Sequence, residues 1–321
     1  MLLNNQRPLD NKFSFWPGLF ASVISAAFGA NAVAIKMSLL GFGPFTAAGL
    51  RLGMASLAII LWARATGRSL QVDRKQIRPL FILTSFTIVQ LSLLYLGISR
   101  TNASRASLIV NLDPFFILLL AHFFISGDRI TARKFLGLLV AFSGIALVFL
   151  PREGSSENLR IGDLITLLST VLWSSRTVYL KRVIHSFHPF HTVFYPMIFS
   201  VPFLFFEGWL LDKPQIGHVD WAVLAALLYQ VGVASLGWVA WYSLLQKHGA
   251  VALHSFMFIS PITGVLLGGV ILEEPLTRYI LVALVLIICG ILTVQSRKRE
   301  SLEVPGPGGS KSRLPAKGGL R

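Results

Sequence analysis

Asp113 stands immediately before Pro114 in the middle of an apolar run, and this pair is the sharpest chemical signal in the chain. A lone carboxylate at the centre of a bilayer costs roughly 3 kcal/mol or more unless it is paired or protonated. Two chemistries fit. Asp113 exchanges protons or holds a cationic group of a substrate, or it forms a structural ion pair with Arg51, Arg176 or Lys36, which also fall in apolar runs. Pro114 and Pro261 act as helix breaks. Each lacks an N–H and so frees the carbonyl four residues back, at Val110 and at Met257. Freed carbonyls are tolerated at membrane depth only where protein or a water-filled cavity satisfies them.

Lys36 ends a stripe of small residues on one helix face, Ser22, Ser25, Gly29 and Ala32. It either binds a carboxylate or phosphate, or snorkels to the interface. Arg51 and Arg176 lie well inside their runs, where arginines face protein or water rather than lipid. Asn31, Asn111, Tyr95, Trp173, Trp238 and Tyr242 complete the set of candidate substrate-binding or coupling residues. Each is open to a plainer role, because buried polar side chains also join neighbouring helices. The pair Gly264 and Gly268 reads as close helix packing inside the bundle, with a dimer seam as the alternative.

Catalysis finds less support. No nucleophile stands beside a base, and no glycine-rich phosphate loop carries a Lys-Ser or Lys-Thr pair. His185, His188 and His191 flank a turn that Pro189 interrupts, a poor metal geometry. Cys289 is the single cysteine, so no intrachain disulfide and no cysteine-based metal site can form. The expectation is a protein that is not an enzyme and uses no cofactor or metal.

These residues sit in a chain of 321 residues that is 54% hydrophobic and only 13% charged. Soluble domains carry about 25% charged residues. The net charge of +15 does not point to nucleic acid, because the basic residues occupy short loops and a tail between apolar runs. About 20 apolar residues cross a bilayer core as a helix. Ten segments fit, near 15–37, 44–63, 77–97, 104–126, 132–150, 161–183, 190–211, 220–245, 250–272 and 278–296. With the N-terminus inside, the inner segments hold 20 Lys and Arg and the outer loops hold six, Arg105 among them. That bias predicts both termini in the cytoplasm.

The chain also repeats itself. Tyr95 stands 19 residues before Pro114, and Tyr242 stands 19 residues before Pro261. An acidic turn follows each proline, at Asp128 and at Glu273-Glu274. Phe28 through Lys36 matches Trp173 through Lys181, and the offset stays near 146 residues. Five spans per copy is an odd number, so the second copy enters the membrane upside down. The expected organisation is a cytoplasmic tail at 1–14, a first repeat at 15–151, a linker at 152–159, a second repeat at 160–296 and a basic tail at 297–321.

With those residues in view, the chain resembles the drug/metabolite transporter superfamily, specifically its EamA-like permeases. The resemblance rests on Phe28 through Lys36 and Trp173 through Lys181, on Pro44 through Arg51, and on Thr101 through Ser107 with Pro114 and Asp128. It rests also on Gly137 with Gly144, and on Gly290 with Glu274 through Thr277. Two residues depart from the pattern: Asp128 where Glu is usual, and Asp113 where a small neutral residue is usual. The resemblance implies two five-helix bundles around a central cavity and export or exchange of small metabolites.

The expectation is therefore an all-α membrane protein with ten transmembrane helices in two inverted five-helix repeats. It would be a secondary transporter of a small metabolite, amino-acid-like compound or drug, working by alternating access in a plasma membrane. Its partners would be a small-molecule substrate, the lipid bilayer and protons as candidate coupling ion, with no nucleic acid, as a monomer or homodimer. A membrane enzyme and a non-transporting scaffold or sensor are the alternatives.

Overall fold

A computed structural model describes residues 15–67, 71–125, 130–150, 157–183, 189–238, 240–241, 244 and 256–295. The described chain is helical and contains no strand, only an isolated bridge between Phe42 and Ile216. The elements are α1 (Phe15–Ser38), α2 (Pro44–Ala65), α3 (Arg74–Arg100), α4 (Ala103–Val110), α5 (Asp113–Phe124) and α6 (Ala132–Phe149). They continue as α7 (Glu157–Val183), α8 (Pro189–Leu211), α9 (Trp221–Gly232) with a π-helical turn at Val233–Gly237, α10 (Ile259–Ile271) and α11 (Arg278–Gln295).

Local chemistry sets several starts. Pro44 occupies the first turn of α2, where its missing N–H costs nothing. Asp220 accepts from the Val223 N–H at 2.8 Å and caps α9. The Asp73 N–H donates to the Gln76 side chain at 3.1 Å at the start of α3.

Six helical segments are long and apolar enough to cross a bilayer: 15–38, 44–65, 74–100, 103–124, 132–149 and 191–211. Three shorter apolar stretches follow at 221–237, 259–271 and 278–294. Helix α7 has the length but not the hydropathy. It packs against α3, α4 and α5, and it buries Asp163, Thr166, Ser169, Thr170, Ser174 and Arg176. Its polar residues thus face protein, which is where membrane helices can hold them. Large apolar side chains point outward instead, as at Trp16, Phe81, Val89 and Trp221.

In lipid, apolar burial does not drive helices together, so close packing must. Gly137 of α6 and Gly290 of α11 meet backbone to backbone. A Cβ on Gly290 would sit 2.7 Å from the Gly137 carbonyl oxygen. Gly29 of α1 lies against the Ser260 carbonyl of α10, and Gly264 lies against Ser107 and the Gly29 carbonyl. Gly268 lies against Ser104 and Glu274. The Gly264 and Gly268 face is therefore spent inside the chain, not on a dimer seam.

Two expected spans are not continuous helices. The run at 104–126 divides into α4 and α5, with Asn111 and Leu112 in a turn between them. In the run at 250–272 the described helix begins only at Ile259, after a turn at 256–258. Each proline therefore sits in the first turn of a new helix rather than mid-helix, a position proline tolerates. The Met257 carbonyl is not left free, because the Ser260 N–H donates to it at 3.1 Å.

Candidate functional site

The loops joining α1–α2, α3–α4, α8–α9 and α10–α11 gather at one end of the bundle, where Gly43 bonds Gln215 and Ala103 bonds Glu274. Several charges there are engaged by backbone groups or by each other. Glu273 takes a left-handed conformation (φ 51°) that turns the chain after α10. Glu274 then accepts from the Ala103 N–H at 2.5 Å, the Ser104 N–H at 2.8 Å and the Ser104 hydroxyl at 2.6 Å. A carboxylate on the N-terminus of α4 meets the positive end of that helix. Asp212 does the same for α2, accepting from the Thr46 N–H and hydroxyl at 2.8 Å each.

Lys36 belongs to this end. Its ammonium donates to the carbonyls of Ile98, Ser99 and Thr101 at 2.8, 3.2 and 2.6 Å. It caps the C-terminus of α3, a use the sequence reading did not name. Arg105 is 6% exposed, so it is not the loop residue it was taken for in the charge count; the inward bias survives its removal. It forms an ion pair with Asp163 and also donates to the Val148 carbonyl at 2.5 Å. Thr101 donates to the same carboxylate at 2.5 Å. The alternative reading of Asp113, an ion pair with Arg51, Arg176 or Lys36, is not what the structure shows; the Arg105–Asp163 bridge is the ion pair among the described residues.

Halfway along the bundle the picture changes. Asp113 opens α5 directly after the turn at Asn111 and Leu112. It is half-buried and accepts from the Ser174 hydroxyl at 2.6 Å. Asn111 turns its amide back to the Ser107 carbonyl at 2.7 Å. Trp173 of α7 and Trp238, just past the π turn, have ring centroids 5.7 Å apart. Phe28 of α1 lies 4.8 Å from Trp238 and 5.7 Å from Trp241. Arg176 lies over the Trp173 ring at 5.3 Å and donates to Thr87 and to the Thr192 carbonyl. Phe28, Trp173 and Trp238 are all half-buried. Aromatic faces of this kind take apolar and cationic bodies, and Asp113 supplies an acceptor beside them.

A third group lies between the two. Tyr95 is fully buried and donates to Gln230 at 2.5 Å. Gln230 donates to the Ala34 and Ala226 carbonyls at 3.0 and 3.1 Å. Arg51 donates to the Tyr95 oxygen at 3.4 Å. The Asn31 side-chain oxygen is buried without a hydrogen-bond partner. Tyr242 lies outside the described residues, as do Asp128, His185 and His188. His191 is described, with its ring 5.7 Å from that of Tyr195. Among the described residues no group of three His, Cys, Asp or Glu is placed to hold a metal.

The sequence reading passed over Gln230, Asp163, Ser174 and Phe28 as site residues. Gln230 and Asp163 had a signal, a polar residue within or at the edge of an apolar run. Phe28 had one too, since it holds in the first repeat the position that Trp173 holds in the second; Ser174 had none, because serine is ordinary in membrane helices.

The described chain is thus a helical bundle with breaks before Pro114 and Pro261 and a helix, α7, whose polar residues are buried against its neighbours. The profile of the EamA-like transporter family matches residues 16–150 and again 160–295, and the chain belongs to that family. A protein of Bacillus subtilis named uncharacterized transporter YvbV is 24% identical over 88% of this chain and 92% of its own. An uncharacterized transporter of Archaeoglobus fulgidus is 28% identical over 83% and 93%. A protein of Escherichia coli named probable amino-acid metabolite efflux pump is 24% identical over 85% and 93%. One crystal structure matches with a TM-score of 0.63 at 18% identity, over 87% of this chain and 98% of that one, a likeness of fold.

Proposed function

We propose that this protein is a secondary transporter, not an enzyme. It moves a small metabolite, amino-acid-like compound or drug across the plasma membrane by alternating access, in export or exchange, with both termini cytoplasmic. The observation that carries this reading is the helix packing. Count α4 and α5 as one rod, and let α1, α2, α3, α4–α5 and α6 exchange with α7, α8, α9, α10 and α11. The contacts α3·α7 and α1·α9 then exchange, as do α1·α10 and α5·α7, and α3·α8 and α2·α9, while α6·α11 and α2·α8 map onto themselves. Such exchange supports two equivalent halves related by a pseudo-two-fold axis. An odd number of spans per half makes them inverted, and rocking of inverted halves alternates access to a site between them. In this reading Asp113 on α5, Trp173 on α7 and Trp238 just past the π turn would lie between the halves. Export has support in the printed name of the Escherichia coli relative.

Protons are the proposed coupling ion, with Asp113 as the exchanging group. The test is uptake of a pooled metabolite set into proteoliposomes, with and without an inward-acid gradient, for wild type and Asp113→Asn. The expected result is that the gradient accelerates at least one compound in wild type only. The amide still accepts the Ser174 hydrogen bond, so the variant folds. Uptake that ignores both the gradient and the substitution makes Asp113 structural and removes proton coupling.

A further inference from the structure

We propose that Arg51 is an anion-binding group of the transport site, and that the transported molecule carries a carboxylate or comparable oxyanion docking beside Arg51, Tyr95 and Gln230. The inference rests on the transport reading above and adds to it the charge of the substrate.

Arg51 lies about a third of the way along α2 and is 8% exposed. Its guanidinium is permanently charged and has five N–H donors. One of them reaches the neutral Tyr95 oxygen at 3.4 Å, a long bond. Nε is buried with no partner. The neighbours are already committed. The Tyr95 proton goes to Gln230, and the Gln230 amide hydrogens go to two backbone carbonyls. This network fixes the tyrosine and the glutamine and leaves the open donors on Arg51.

The other buried arginines show what a structural arginine receives in this fold. Arg105 has the Asp163 carboxylate and the Val148 carbonyl. Arg176 has the Thr87 hydroxyl, the Thr192 carbonyl and the Trp173 face. Arg51 has no carboxylate among the described residues, because those are placed elsewhere. Asp113 is on Ser174, Glu207 on Ser92, Asp212 on Thr46, Glu274 on Ser104 and Asp220 on Val223. The stretch 239–255, which follows the π turn, contains neither Asp nor Glu, so it brings no counter-ion. The π turn begins three residues after Gln230 and packs on α1 and α2, and such turns concentrate at functional sites. A buried cation whose donors are open, held by a network already complete, is arranged for an anion that comes and goes. The planar fork suits a carboxylate, which it can bind through two parallel hydrogen bonds.

The test uses the full chain in lipid nanodiscs, wild type, Arg51→Met and Arg51→Lys. Thermal unfolding and tryptophan fluorescence are followed while sodium acetate, sodium benzoate and inorganic phosphate are titrated at constant ionic strength. Acetamide and benzamide serve as neutral controls. The expected result has two parts. Without added anion, Arg51→Met melts at or above the wild-type temperature, because an unpaired buried charge has gone. With anion, wild type is stabilised by at least one of the three and by neither amide. Arg51→Met loses about 10-fold or more of that affinity, and Arg51→Lys retains part of it. If Arg51→Met fails to fold or melts lower without anion, Arg51 is structural and the proposal is overturned. It is equally overturned if no anion acts on wild type more than on the variant. Anion binding in a protein that moves no compound would sink the transport reading and leave the subsite. Transport confined to neutral or cationic compounds and indifferent to Arg51→Met would sink the subsite and leave transport.

Discussion

The loop-gathered end of this bundle and the positions of Asp113 and Arg51 deeper inside it treat buried charge differently. At the end, Arg105 has Asp163, Glu274 has the α4 N-terminus, Asp212 has the α2 N-terminus and Lys36 has three carbonyls. Deeper in the bundle, Asp113 has a serine hydroxyl, Arg51 has one long bond and the Asn31 oxygen has no hydrogen-bond partner, whereas Arg176 has Thr87, Thr192 and the Trp173 face. Desolvating a charge is expensive, and a fold that needs only stability would complete the middle as it completes the end. Incomplete satisfaction costs stability and is retained where a ligand or proton supplies the missing partner. On the transport reading proposed above, the end would be architecture and the middle the working site.

That contrast breaks most easily at Asp163. Asp163→Ala leaves the Arg105 charge buried and unpaired, and should cost about 3–5 kcal/mol in an unfolding titration in mixed micelles. Asp113→Asn should cost under about 1 kcal/mol in the same titration, since its hydrogen bond survives. Equal costs would erase the distinction between the two regions.

A smaller effect separates packing from chemistry. A Cβ at Gly29 would overlap the Ser260 carbonyl, whereas one at Gly53 would meet only Val201 at 3.7 Å. Gly29→Ala should destabilise by about 1–3 kcal/mol, and Gly53→Ala by no more than about 0.5 kcal/mol. The same unfolding assay decides it, and a harmless Gly29→Ala would mean that α1 and α10 do not touch there.

A change that is partly electrostatic is expected at Glu274. Glu274→Gln keeps one acceptor oxygen, replaces the other with an amide NH2 that cannot accept, and removes the charge at the α4 N-terminus, a loss of about 1–3 kcal/mol whose electrostatic part should shrink as salt rises. An unchanged stability at low salt would show that the charge contributes nothing to closing this end.

Much of the scaffold was legible in the residues. Apolar runs of the right length located the helices, and small residues at helical spacing, Gly29 with Ala32 and Gly264 with Gly268, marked the close approaches. The prolines located the breaks, although not their form. Pro114 and Pro261 begin helices, because proline is comfortable in a first turn and disruptive later. Site roles were less legible. Lys36 read either as a ligand group or as a lysine snorkelling to the interface, and its ammonium bonds the last carbonyls of α3; Arg105 read as a loop cation and is half of a buried ion pair.

What the sequence by itself determined is which stretches can live in lipid and which polar residues must be explained, since hydropathy and charge are properties of the residues alone. Which polar residue meets which was decided by the tertiary structure. Arg105 and Asp163 are 58 positions apart, and Tyr95 and Gln230 are 135 apart. Only the side-by-side packing of α4 with α7 and of α3 near α9 brings them within bonding range, and only that packing leaves Arg51 without a carboxylate. Pairing across helices depends on their rotation and depth, and a one-dimensional pattern of residue types does not encode either.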